Sequence, residues 1–226
     1  MSNKQIYTNF IEKHSDIYIP IFMQPFWLDN FSENWDVVLF QINGQIVAAL
    51  PYSIKGNLLT KRIYLPDVNF YQSIVFFDSF DAKTNTKITK ELFTQLPKTI
   101  KQYFKFLPEF LDIDLFKLGY KKSIYSSYLL EANNVVSKHH LRKINKAKIE
   151  NYQIIHQKFV KEAYELIAQT FVRQKAKFKL TLSDFEHLNK IITKYKCGTL
   201  YTCLDNDHKI LATALIVEDD QVAYYL

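Results

Sequence analysis

The residues whose types could carry chemistry fall into a few short clusters: His139-His140, a basic run of Lys138, Arg142, Lys143, Lys146 and Lys148, the cysteines Cys197 and Cys203, the acids Glu218-Asp219-Asp220, and the pair Tyr224-Tyr225. Adjacent histidines on a helix point about 100° apart, so His139 and His140 cannot easily share one ligand and read as surface residues. The cysteines are six apart with no third or fourth thiol, which excludes a zinc site, and they read as small buried strand residues. Three consecutive acids at a strand end mark a solvated turn. Tyrosine is favoured in strands, so Tyr224 and Tyr225 have a packing reading without chemistry. The basic run could hold phosphate. A solvated helix face is the simpler reading, because phosphate binding needs a convergent pocket. Arg173, Gln174 and Lys175 end a helix, where cations suit the dipole without a ligand. Phe26, Trp27, Trp35 and Tyr71 read first as core aromatics.

Composition excludes several classes. The chain has only four glycines, Gly44, Gly56, Gly119 and Gly198, none close enough to build a dinucleotide fingerprint or a phosphate loop. The net charge is +6, yet the basic residues are scattered rather than striped, so no DNA partner is expected. Apolar residues are 48% of the chain, enough for a core, and no apolar run approaches the ~18 residues of a membrane span. The opening residues lack an export signal, which with two cysteines predicts a cytoplasmic protein with reduced thiols.

The elements that must position these residues repeat. Trp35 to Pro51 and Thr199 to Leu215 both read strand–turn–strand, and Ile46-Val47-Ala48-Ala49 matches Ile210-Leu211-Ala212-Thr213 at an offset of 210 − 46 = 164. Asn43-Gly44 is a strong hairpin turn, and Pro51 predicts a bulge or strand end. Apolar residues on both faces of the first strand predict a sheet flanked by helices. Helices are expected over the first residues, from Ile6 to Ile11, and from Pro25 to Phe31. Strands are expected at Arg62–Leu65 and Ser73–Phe77. Two more helices follow: one capped by Thr86 with Ile88, Leu92 and Leu96 inward, the next carrying Ile100, Phe104 and Leu107 and ending at Pro108. Tyr120 to Ala132 reads as extended. Ser137 starts a basic helix with Leu141, Ile144 and Ala147 toward a core. Two further helices carry Val160 to Phe171 and Phe185 to Tyr195, the last with Gly198 as its left-handed cap. Only eleven residues follow Leu215, so the second unit reads as incomplete. The reading is two tandem α/β (α+β) domains, residues 1–132 and 133–226.

The order of these segments resembles the GNAT acyltransferase fold, and two such units joined through a basic helix resemble the FemAB-type and BioF-like proteins of bacteria. The stretches that carry it are IPIFMQPFWLDNF (Ile19–Phe31) with WDVVLFQINGQIVAALPYSI (Trp35–Ile54), LPDVNFYQSIVF (Leu65–Phe76), HLRKINKAKIENYQI (His140–Ile154), TFVRQKAKF (Thr170–Phe178) and ALIVEDDQVAYYL (Ala214–Leu226). They span nearly the whole chain, with Ser73 standing where the family usually has glycine. The resemblance implies tandem domains, each a mixed, mainly antiparallel sheet flanked by helices. It implies an N-acyltransferase that moves an acyl group from acyl-CoA (acetyl-CoA), or an aminoacyl group from tRNA, to a small-molecule amine acceptor without a metal. Tyr224 or Tyr225 would protonate the leaving thiolate; Leu226, Arg142 and Lys143 would meet the donor; Arg173, Gln174, Trp27 and Tyr71 would meet the substrate. The family's glycine-bearing pyrophosphate loop would follow Leu226, so the sequence as given is expected to be inactive. The alternative is a non-catalytic binding module on the same fold.

Overall fold

The computed structural model describes residues 1–107, 115–126, 131 and 136–226. It is mixed α/β, with six α-helices and two mainly antiparallel sheets among the described residues. The chain divides into two compact units, Met1–Ser123 and Ile124–Leu226; the sequence alone places the division at 132/133.

The first unit is organised by one hairpin. Asn43 (φ 51°) and Gly44 (φ 81°) both take positive φ, the conformation a tight turn between twisted strands requires. They join β1 (Asn34–Ile42) to β2 (Gln45–Lys55). The far edge of β2 is shared by β3 (Arg62–Tyr64), paired at Ser53–Lys55, and β4 (Val75–Phe76), paired at Ala48 and Ala49. Pro51 lies between these two pairings. It neither breaks nor bulges β2, contrary to the expectation from sequence. The Ser53 N–H points to that edge, where it donates to the Gln72 side chain at 2.9 Å. Strand period two aims position 51 the same way, so the missing N–H costs no ladder bond. The register shift falls instead at Phe40/Gln41.

Both faces of this sheet are covered. Trp35, Val37, Leu39 and Ala49 pack with Tyr7 and Leu28 of α1 (Asn3–Lys13) and α2 (Pro25–Phe31). Val38, Ala48, Leu50, Tyr52 and Ile54 pack with Ile88, Leu92 and Phe93 of α3 (Ala82–Thr94). Asp81, not Thr86, caps α3: its carboxylate accepts the Thr84 N–H at 2.7 Å, while the Thr86 hydroxyl donates back to the Ala82 carbonyl. No helix follows over Ile100–Leu107. The Ile100 N–H donates to Lys61 and the Tyr103 N–H to Ile63, which places β5 (Lys101–Gln102) parallel beside β3. Phe104 and Phe106 then pack on Phe93 at 5.1 and 5.8 Å. A spacing of three to four apolar residues served a strand and a loop here, because the free edge of β3 competed for the backbone. Of the stretch expected to be extended, residues 120–126 and 131 are in no regular element, and 127–130 and 132 lie outside the described residues.

The second unit holds β6 (Gln153–His156), β7 (Gly198–Leu204), β8 (Ile210–Glu218) and β9 (Ala223–Tyr225) in that order, all antiparallel. Its helices are α4 (Lys138–Ile149), α5 (Val160–Arg173) and α6 (Leu182–Tyr195). Phe185, Leu188, Ile191 and Ile192 of α6 are buried, as are Ala163 of α5 and Leu200, Leu204, Leu215 and Val217 of the sheet. Thr181 caps α6 in a reciprocal box with Asp184, whose carboxyl is held below the usual range by the Thr181 hydroxyl and N–H. Tyr195, expected inside, is largely exposed. The left-handed cap of α6 is Lys196 (φ 54°), not Gly198. Glycine is required at 198 for a different reason: a Cβ there would lie 2.3 Å from the Ile216 carbonyl oxygen. On α4 no residue is buried, and Leu141 and Ile144 are exposed, contrary to the inward face expected for them.

The two hairpins share one irregularity. In the first, Phe40 opposes Ala48 and Gln41 opposes Ile46, leaving Val47 as the extra residue. In the second, Cys203 opposes Ala212 and Leu204 opposes Ile210, leaving Leu211 extra. The bulged residues are 211 − 47 = 164 apart, the offset read from the sequence.

Candidate functional site

The sheet of the second unit carries the residues with the best claim to chemistry. Asp219 accepts the N–H groups of Gln221 and Val222 at 3.1 and 2.9 Å, which closes the acidic triplet into the turn between β8 and β9. That turn sets Tyr224 opposite Val217 and Tyr225 opposite Ile216. Tyr225 is 67% exposed and Tyr224 half-buried. The Leu226 N–H donates to Leu215 at 3.0 Å. Beyond it, among the described residues, no strand pairs with residues 211–214 of β8 on the β9 side. In the first unit the matching positions, Ala48 and Ala49, are paired with β4 and fully buried. Ala212 is exposed and Thr213 half-buried.

The other sequence-derived residues of this unit lie on its helices. Arg142 and Lys143 are exposed on α4, where Lys146 pairs with Glu150 at 3.7 Å. Arg173 donates to the Thr170 hydroxyl at 2.9 Å in the last turn of α5, and Gln174 closes that helix by donating its N–H to the Thr170 carbonyl. Trp27 and Tyr71 belong to the core of the first unit, both ringed against Phe22 at 5.4 and 5.1 Å. Trp27 has no exposed surface and its indole N–H is held by Asn69 at 2.8 Å. These two aromatics therefore support the fold, and a substrate cannot reach Trp27.

A groove of about 410 Å³ has no counterpart in the sequence reading. It lies between α5 and the β7–β8 turn, lined by Phe159, Glu162, Glu165, Gln169, His208 and Lys209 among others. Phe159 (φ 58°) and His208 (φ 60°) both adopt left-handed backbone in its wall, which is uncommon for an aromatic residue. Glu162 and Glu165 are three apart on one helix, a signal the sequence did carry. The groove opens at Ile210, six residues along β8 from Ile216, or roughly 20 Å from the tyrosines.

Burial pushes the Cys197 thiol up to about 11, so it is a neutral thiol rather than a nucleophile at pH 7. Among the described residues no group of three or more His, Cys, Asp or Glu side chains is placed to hold a metal. No helix among them is long and apolar enough to cross a membrane. No protein-family model matches the chain, and no curated protein matches it.

Proposed function

We propose that the chain is an N-acyltransferase-like protein of tandem GNAT architecture, of the FemAB/BioF-like kind. One observation carries this reading. The hairpin is duplicated down to its bulge, with the two bulged residues at the same offset as the sequence repeat. The arm of acyl-CoA is extended and bears amides, so it can bond to residues 211–214 as an added strand would. That would bring the thioester toward Tyr224 and Tyr225. An amine then attacks the thioester carbonyl: the N–C bond forms and the C–S bond breaks. The ammonium proton leaves to water, and the departing thiolate takes a proton from one of the two phenols. Aminoacyl-tRNA is the alternative donor, and the cations Arg142 and Lys143, exposed on α4, would meet phosphate from either.

Calorimetric titration with acetyl-CoA, and separately with charged tRNA, tests the reading. The expected result is a dissociation constant in the ~1 μM–1 mM range usual for enzyme substrates. These residues by themselves are expected to be inactive, so donor binding is the readout, and Tyr225→Phe should leave it intact. A folded protein with no affinity for either donor sinks the enzyme reading in favour of a binding module.

A further inference from the structure

We infer that the first unit carries a docking tip for an anionic lipid surface, built from the β2–β3 loop and the start of β5. Leu58 and Leu59 stand 93% and 82% exposed at the loop apex, and Ile100 is 69% exposed beside it. The Ile100 N–H donates to the Lys61 carbonyl at 3.0 Å, so the three apolar side chains occupy one end of the sheet. Burying such residues is the default in a folded chain, and a cluster of three needs a reason.

The loop is held rather than loose. The Asn57 side-chain oxygen accepts from the Leu59 N–H, the Thr60 N–H and the Thr60 hydroxyl at 3.0–3.1 Å, and the Asn57 N–H donates to the Thr60 hydroxyl at 3.1 Å. This cross-bonding satisfies the polar groups inside the loop and leaves the leucines pointing away from any core. Five cations lie on the same segments: Lys55, Arg62 and Lys101 are cross-strand neighbours, the Lys61 carbonyl accepts the Ile100 N–H, and Lys98 precedes Ile100 by two residues. Lys55 lies over the Tyr64 ring at 4.0 Å, and none of the other four forms a salt bridge among the described residues. Two carboxylates lie nearby: Glu33, at 3.5 Å from the Gly56 N–H, and Asp67, which like Glu33 acts electrostatically on Tyr64. An exposed apolar tip beside these cations fits a boundary where acyl chains begin and phosphates lie just outside them. Charge complementarity selects an anionic membrane surface over a second protein, whose apolar hot spots sit in pockets rather than on tips.

Vesicle sedimentation with the full chain tests this. Wild type should bind vesicles of phosphatidylcholine with phosphatidylserine at low salt, and bind pure phosphatidylcholine far less. Leu58→Ser with Leu59→Ser should weaken binding by roughly tenfold with an unchanged far-ultraviolet spectrum, because both side chains are solvated. Trp27 and Trp35 are buried, so a Leu58→Trp variant should add a fluorescence signal that shifts to the blue when anionic vesicles are added. Absence of binding to anionic vesicles overturns the proposal. So does binding that survives the leucine substitutions and is lost with Arg142→Glu and Lys143→Glu, since that outcome assigns the attraction to α4. Acetyl-CoA affinity is a separate reading in a separate unit and is untouched by either result.

Discussion

At the residue scale, Cys197 shows how burial converts a reactive type into a structural one. Its folded pKa is raised above the unfolded value near 9.0 to about 11. A raised acid is favoured neutral in the fold, so its stability contribution is complete below pH 9 and is lost as pH climbs toward 11. Stability of the second unit should therefore fall over that window, read as a dropping urea midpoint by circular dichroism. Cys197→Ala should flatten the slope; an identical slope in the variant would show that Cys197 does not set it. Tyr7 is the residue the sequence concealed. It is fully buried, its hydroxyl donates to the Met23 carbonyl at 3.0 Å, and burial drives its pKa upward. Nothing in NKQIYTNFIEK separates Tyr7 from a surface tyrosine, because the helix's apolar stripe alone points to Ile6, Phe10 and Ile11.

At the scale of elements, the hairpins make a sharper forecast. Gly44 sits at φ 81°, where an added Cβ would have nothing within 4 Å, so Gly44→Ala introduces left-handed strain alone, about 1–2 kcal/mol. Gly198→Ala puts a methyl 2.3 Å from the Ile216 carbonyl oxygen and 3.1 Å from the Val217 Cα, so two paired strands must separate. Its cost should reach or exceed the top of the ~1–3 kcal/mol overpacking range. Urea titrations of the two variants decide this: equal costs would mean that the β7–β8 pairing yields more readily than its contacts suggest. Two helix starts were legible from a proline or a cap, Pro25 for α2 and Ser137 for α4, whereas Thr86 misplaced the start of α3. Boundaries failed where a neighbouring strand edge claimed the backbone, as at Ile100–Leu107.

At the scale of the whole molecule, the first unit has a core of its own on each face of its sheet, and Leu115 and Tyr120 belong to it. Residues 1–123 expressed alone should unfold in one cooperative transition. A version ending at residue 107 should be less stable, because it loses Leu115 and the Tyr120 ring that packs 5.1 Å from Phe93. Equal thermal midpoints for the two would deny those residues a part in the core. The sequence by itself determined the duplicated hairpin, its turn at Asn43-Gly44 and the apolar faces of β1, because turn chemistry and period-two patterning are local. The scarcity and spacing of its four glycines also excluded a glycine-rich phosphate loop within these residues. Tertiary structure decided the rest. Whether Pro51 breaks β2 depends on which edge its nitrogen faces, and whether Trp27 meets a ligand depends on what covers it. These are properties of partners distant in sequence, and no local pattern encodes them.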